Sequence, residues 1–135
     1  MTVAASIDTN ILVRHIVKDH ELQSLAVTKL FDRHIRKSES LFVPITVMLE
    51  LEWVLRSQYK FSKGDVIRGM SALLETLELV FESEGALEQA LDIYEVGNAD
   101  FAEYLHLSLA RIGDALPFYT FDGKASKSTG AKLLT

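Results

Sequence analysis

The chain has 135 residues, with 14 Lys or Arg against 19 Asp or Glu, 48% hydrophobic residues and no cysteine. A chain of this length buries roughly two thirds of its unfolded surface without disulfides or a thiolate metal site. A single domain over residues 1–135 is therefore expected, and zinc-finger, iron–sulfur and thiol-nucleophile chemistries are excluded. No apolar run approaches the roughly 18 residues of a membrane span and no basic residue precedes Arg14, which reads as a cytoplasmic protein without signal peptide or membrane anchor. The net charge of -5 is unevenly spread. Residues 1–70 carry ten basic and eight acidic side chains, residues 71–110 nine acidic and none basic, and residues 111–135 four basic and two acidic. Most of the acids in the middle segment read as a solvated helix face.

In chain order, Val3 to Ile7 is an apolar run that reads as a buried strand, stopped at Asp8-Thr9-Asn10. Ile11, Leu12 and Ile16 then recur at helical spacing. Leu22, Leu25, Ala26 and Leu30 predict a second helix that ends in the basic stretch Arg33 to Lys37. Leu41 to Val43 is a strand closed by Pro44, with Thr46 placed to cap the following helix, 46–56. A helix over Phe61 to Leu74, a strand over Leu77 to Phe81, helices over Leu87 to Val96 and Asp100 to Ile112, and a strand over Pro117 to Phe121 complete the pattern before a short basic tail. Strands alternating with helices predict an α/β fold with a parallel sheet covered on both faces. In such sheets ligands bind beyond the carboxyl ends of the strands, where Asp8 and Asp122 both fall.

Each acid also has an ordinary explanation. Asp8 is placed to cap a helix, and Asp122-Gly123 is a common turn pair. Glu50 and Glu52 border opposite edges of the apolar stripe Val47, Met48, Leu51, Val54 and Leu55, and periodicity does not choose between them. Asp100 and Glu103, three residues apart, share a helix face. Two carboxylates about 5 Å apart at an effective dielectric of 20 repel by roughly 3 kcal/mol, so convergence of these acids requires cations. Oxygen-only donors favour Mg²⁺ or Mn²⁺. His106 reads as a packing or surface histidine, while Arg14 is placed either to anchor a carboxylate of the cluster or to form a plain surface ion pair.

In order, the segments Ser6 to Arg14, Pro44 to Leu51, Asp100 to His106 and Tyr119 to Asp122 resemble the PIN-domain family, and within it the VapC toxins of toxin–antitoxin pairs. The resemblance implies a three-layer α/β/α, Rossmann-like fold with a central parallel sheet of four to five strands. It implies Mg²⁺- or Mn²⁺-dependent endoribonuclease activity on structured RNA such as tRNA, a cognate antitoxin folded over the site, and a toxin homodimer. By the same resemblance Asp8, Glu50 and Asp122 are site acids, which selects Glu50 over Glu52. The family commonly has Asp where this chain has Glu103, so the third metal ligand is either Asp100 or Glu103. Thr9, Asn10 and Thr120 are candidates for hydrogen-bonding the ligands or substrate. RNA phosphates need localised cations, for which Arg33, Arg36, Lys37, Lys124, Lys127 and Lys132 are available. A phosphoacceptor signalling domain is disfavoured, since no Asp ends a middle strand. A degenerate PIN fold acting only as a protein-binding module is the alternative.

Overall fold

The computed structural model describes residues Met1–Thr135 and divides into two compact units, Met1–Glu82 and Ser83–Thr135. The first contains β1 (Thr2–Ser6), α1 (Thr9–Ile16), α2 (Glu21–Arg36), β2 (Glu39–Val43), α3 (Ile45–Ser57), α4 (Lys63–Leu74) and β3 (Leu79–Phe81). Its sheet is parallel throughout, in the order β1-β2-β3. Each crossover carries two helices, α1 and α2 between β1 and β2, then α3 and α4 between β2 and β3. The second unit contains α5 (Glu84–Val96), α6 (Phe101–Ile112) and the parallel pair β4 (Phe118–Thr120) and β5 (Ala131–Leu133), with one turn of 3-10 helix between the two strands. The α/β class and parallel pairing match expectation. The strands, however, form one three-stranded and one two-stranded sheet rather than a single sheet of four to five. No helix is long and apolar enough to cross a membrane.

Three details differ from the sequence reading for physical reasons. β1 is exposed along its whole length, because the helices of its unit pack on β2 and β3 rather than on it, and only Ile7 just beyond it is buried. Thr46 does not cap α3: the helix starts at Ile45 after Pro44, and the Ile45 N–H donates instead to Glu82 Oε1 at 2.8 Å. That carboxylate arrives from just after β3 and satisfies one of the helix's orphan donors. The basic tail, finally, holds the 3-10 turn and β5, too short to show a period in the sequence.

The other boundaries follow their caps. α1 begins after Asp8, whose Oδ1 accepts from Ile11 N at 3.3 Å, α2 after His20, whose Nδ1 accepts from Gln23 N at 3.2 Å, and α4 after Ser62, whose Oγ accepts from Asp65 N at 3.1 Å. Inward stripes then bury Leu12, Val13, Val27, Phe31, Met48, Leu51, Leu55, Val66, Met70 and Leu73 in the first unit. The helices of the second bury Leu87, Ala90, Tyr94, Phe101, Tyr104 and Leu107.

Arg14 is not an anchor for the acids. Its guanidinium donates to Asp19 Oδ1 at 2.8 Å, Gln23 Oε1 at 2.6 Å and the Tyr59 hydroxyl at 3.0 Å, and the Tyr59 hydrogen bond is the main factor raising its pKa. His15 packs on Phe31, with ring centroids 4.8 Å apart. Burial holds its imidazole below the ordinary value of 6.5, Lys18 adds to the effect and Glu78 opposes it. The unfolded chain therefore takes up this proton more readily than the folded one. The corresponding stability is complete above about pH 6.5 and is lost as the pH falls below it. Melting temperatures measured from pH 7.5 down to 5.5 should decline, and the decline should be shallower in His15→Phe.

In the second unit the loop between α5 and α6 is held by the Tyr104 hydroxyl, which accepts from Ala99 N at 2.8 Å. Gly97 is required beneath it, because a Cβ at that position would overlap the hydroxyl and stand 2.7 Å from Tyr104 Cζ. Gly97→Ala should cost about 1–3 kcal/mol by overpacking, read as a lowered midpoint in urea unfolding, and Tyr104→Phe should relieve part of that clash.

Candidate active site

The Ile7 N–H donates to Phe42 O at 3.1 Å, prolonging the β1–β2 pairing by one residue, so Asp8 stands where the chain leaves the carboxyl end of the sheet. Thr9, only 5% exposed, opens α1, and its hydroxyl donates to Glu50 Oε1 on α3. This hydrogen bond brings the first two candidate acids into one cleft of about 360 Å³, lined by Asp8, Thr9, Asn10, Glu50, Trp53, Val54 and Gln58. The two glutamates of α3 are separated by burial. Glu50 is exposed, whereas Glu52 is 3% exposed and clamped by Arg56, with Nε to Oε2 at 2.7 Å and Nη2 to Oε1 at 3.4 Å. A carboxylate so enclosed is tolerated only with such a partner. The inward face of α3 is therefore rotated toward Glu52 and carries Met48, Leu51 and Leu55.

In the second unit, Asp100 and Asp122 line one cavity of about 480 Å³ together with Asn98, Ala99, Gly123, Lys124 and Lys127. Asp100 is the residue before α6, yet its side chain makes no capping hydrogen bond. Asp122 follows β4; its Oδ1 accepts from Lys124 N at 2.9 Å and Ala125 N at 3.0 Å, and its own N–H donates to Thr120 Oγ1 at 2.9 Å. Glu103, half-buried in the first turn of α6, is not among the residues of this cavity. His106 is exposed and lies beside Phe118, with ring centroids 6.3 Å apart.

Each unit thus gathers a pair of acids; Asp8, Asp100 and Asp122 stand where a strand or loop feeds a helix N-terminus, the position where backbone N–H groups stabilise carboxylates, and Glu50 lies farther along α3. Four motifs in this order, placed at those junctions of a parallel α/β chain, decide the family, and the model of the PIN domain matches residues 5–130.

The chain belongs to the PIN domain family.

PIN domains are a superfamily of nucleases that typically use divalent metals. A comparison with curated proteins finds no match. In this PIN domain the donor set fits a hard cation. All the candidate ligands are carboxylate oxygens, Asp100 is unused as a cap, and both protein hydrogen bonds to the Asp122 carboxylate fall on Oδ1, leaving Oδ2 for a ligand. Within neither unit do three or more His, Asp or Glu side chains gather closely enough to enclose an ion by themselves.

Trp53 and Gln58 line the acid cleft of this PIN domain without having been singled out from the sequence. The available signal was the Glu50-x-x-Trp53 spacing, which puts the two on one helix face. The larger groove between α1 and α2, about 620 Å³, shares Asp8 and Asn10 with the cleft and is also lined by Lys29 and Arg33.

Because Asp8 is at once a candidate ligand and the cap of α1, its two roles are separable. Asp8→Asn keeps a side-chain oxygen for Ile11 N and should leave the melting temperature unchanged or higher, whereas Asp8→Ala should cost about 0.5–2 kcal/mol of stability. Thermal unfolding of the two variants beside the wild type measures the difference.

Proposed function

We propose that this PIN domain is a Mg²⁺- or Mn²⁺-dependent endoribonuclease, the VapC-type toxin of a toxin–antitoxin pair, acting on structured RNA such as tRNA. The observation that carries the reading is the sharing of one cleft by Asp8 and Glu50, tied through Thr9, in a chain whose PIN match also spans Asp100 and Asp122. Residues 1–135 then form a single PIN domain.

Asp8, Asp122 and either Asp100 or Glu103 are the residues to hold the metal, which when bound polarises the scissile phosphate and acidifies water. Glu50 orients the attacking water. Its Oε1 is engaged by the Thr9 hydroxyl, so Oε2 accepts the proton as the water oxygen bonds to phosphorus and the P–O bond to the departing ribose oxygen breaks. Asn10 and Thr120 support the site, Thr120 by fixing the backbone of Asp122.

Phosphate attraction in this reading comes from α2, where Lys29, Arg33, Arg36 and Lys37 line one exposed surface against a single acid, Asp32. Lys124 and Lys127 supply it beside Asp100 and Asp122. These are local cationic surfaces on a chain of net charge -5, which is how an acidic protein can hold RNA. The proposed partners are a cognate antitoxin and a second copy of the chain, in the cytoplasm.

The test is cleavage of total RNA by the purified protein with Mg²⁺, with Mn²⁺ and with EDTA. Discrete cuts should require metal and fall at least 100-fold in Asp8→Asn, on the scale of losing a group that acts in the transition state. Asp100→Asn should lose more activity than Glu103→Gln, because Asp100 shares the cavity with Asp122. No metal-dependent cleavage, with no rise in melting temperature on adding Mg²⁺ or Mn²⁺, would return the fold to a protein-binding role.

A further inference from the structure

Trp53 is the one tryptophan of the chain and stands 51% exposed on α3, flanked by the buried residues Leu51, Glu52 and Leu55. A large apolar ring held half out of the core forgoes much of the free energy its burial would supply, so the core does not account for its position. At 100° per residue it lies roughly 60° from Glu50 on the outward side of α3. It also lines the same cleft as Asp8 and Glu50. Five of the seven residues of that cleft, Asp8, Thr9, Asn10, Glu50 and Gln58, are polar or charged.

This composition discriminates among occupants. The centre of a protein–protein interface is apolar and depleted of charge, whereas a single π-face among carboxylates and amides suits a flat heterocycle attached to a phosphate. Aromatic side chains bind unpaired bases by stacking, and side-chain amides such as those of Asn10 and Gln58 pair with base edges.

From this juxtaposition we infer that Trp53 is a substrate-binding residue that stacks on a nucleobase next to the scissile phosphate, so that the cleft selects unpaired positions in RNA. The inference rests on the nuclease reading above. It adds a requirement that acids and metal alone do not impose: the base beside the cut must be free to leave its helix, which favours loops and single strands over duplex.

The single tryptophan makes the contact directly observable. The Asp122→Asn protein keeps every residue that lines the Trp53 cleft and is expected not to cut. With it, a mixed-sequence single-stranded RNA dodecamer should bind by anisotropy and quench the Trp53 emission in step with binding, while inorganic polyphosphate should bind without quenching. In the same background Trp53→Leu, which keeps an apolar side chain without a π-face, should weaken dodecamer binding roughly tenfold. Trp53→Phe should restore most of that loss, with melting temperatures confirming that each variant folds. Dodecamer binding with unchanged emission and unchanged affinity in Trp53→Leu would overturn the stacking role and leave the nuclease reading standing. A protein-concentration-dependent emission shift without RNA, unaltered when RNA is added, would assign the ring to contact with a second copy and overturn the inference. Absence of both RNA binding and RNA cleavage by the wild type would remove the nuclease reading and this inference together.

Discussion

The acid cleft of the first unit depends on one hydrogen bond, from the buried Thr9 hydroxyl to Glu50. It ties the first residue of α1 to the middle of α3, two helices that start from the carboxyl ends of neighbouring parallel strands. Parallel pairing makes this possible, because it delivers the ends of β1 and β2 to the same edge of the sheet. A polar residue leaving one strand can then meet a residue a turn or two into the helix that follows the next. Thr9 pays for its burial by donating its proton, and Glu50 loses one acceptor to it while keeping the other. The bond therefore serves packing and site geometry together.

Charge is managed locally rather than by the chain as a whole. Where a carboxylate is buried for structure it has a cation, as Glu52 has Arg56. Where carboxylates are gathered in the candidate site they have hydrogen-bond donors and helix N-termini instead: Thr9 for Glu50, the N-terminus of α1 for Asp8 and two backbone N–H groups for Asp122. Donors of that kind orient a carboxylate without neutralising it, which preserves its charge for a cation. The exposed Lys and Arg residues of α2 make no ion pair with the acids of the cleft.

How far this was legible in the sequence differs from residue to residue. α1, α2 and α6 were visible in their periodicity, and Asp8 was visible as an acid between a strand and a helix. The choice between Glu50 and Glu52 was not visible in periodicity, because both border the apolar stripe. It came from resemblance, and in the structure the two sit in different surroundings because the inward face of α3 includes Glu52, whose buried carboxylate is paired with Arg56 one turn on. Asp100 and Glu103 were equivalent by spacing, yet only Asp100 lines the cavity of Asp122. Trp53 was visible only as a residue of the helix after Pro44, and its exposure is a property of what packs on α3.

What the sequence by itself determined is local: the order of strands and helices, the caps whose donors lie three residues away, the exclusion of thiol chemistry, and the family, because ordered motifs survive where geometry is not yet known. Tertiary structure alone decided the contacts between residues far apart in the chain. Glu82 rather than Thr46 serves the start of α3, Arg14 is spent on Asp19 and Tyr59, and Thr9 meets Glu50 across 41 residues. The physical reason is that periodicity reports which face of an element is apolar, whereas hydrogen bonds and ion pairs depend on which groups the packed elements bring within about 3 Å of one another.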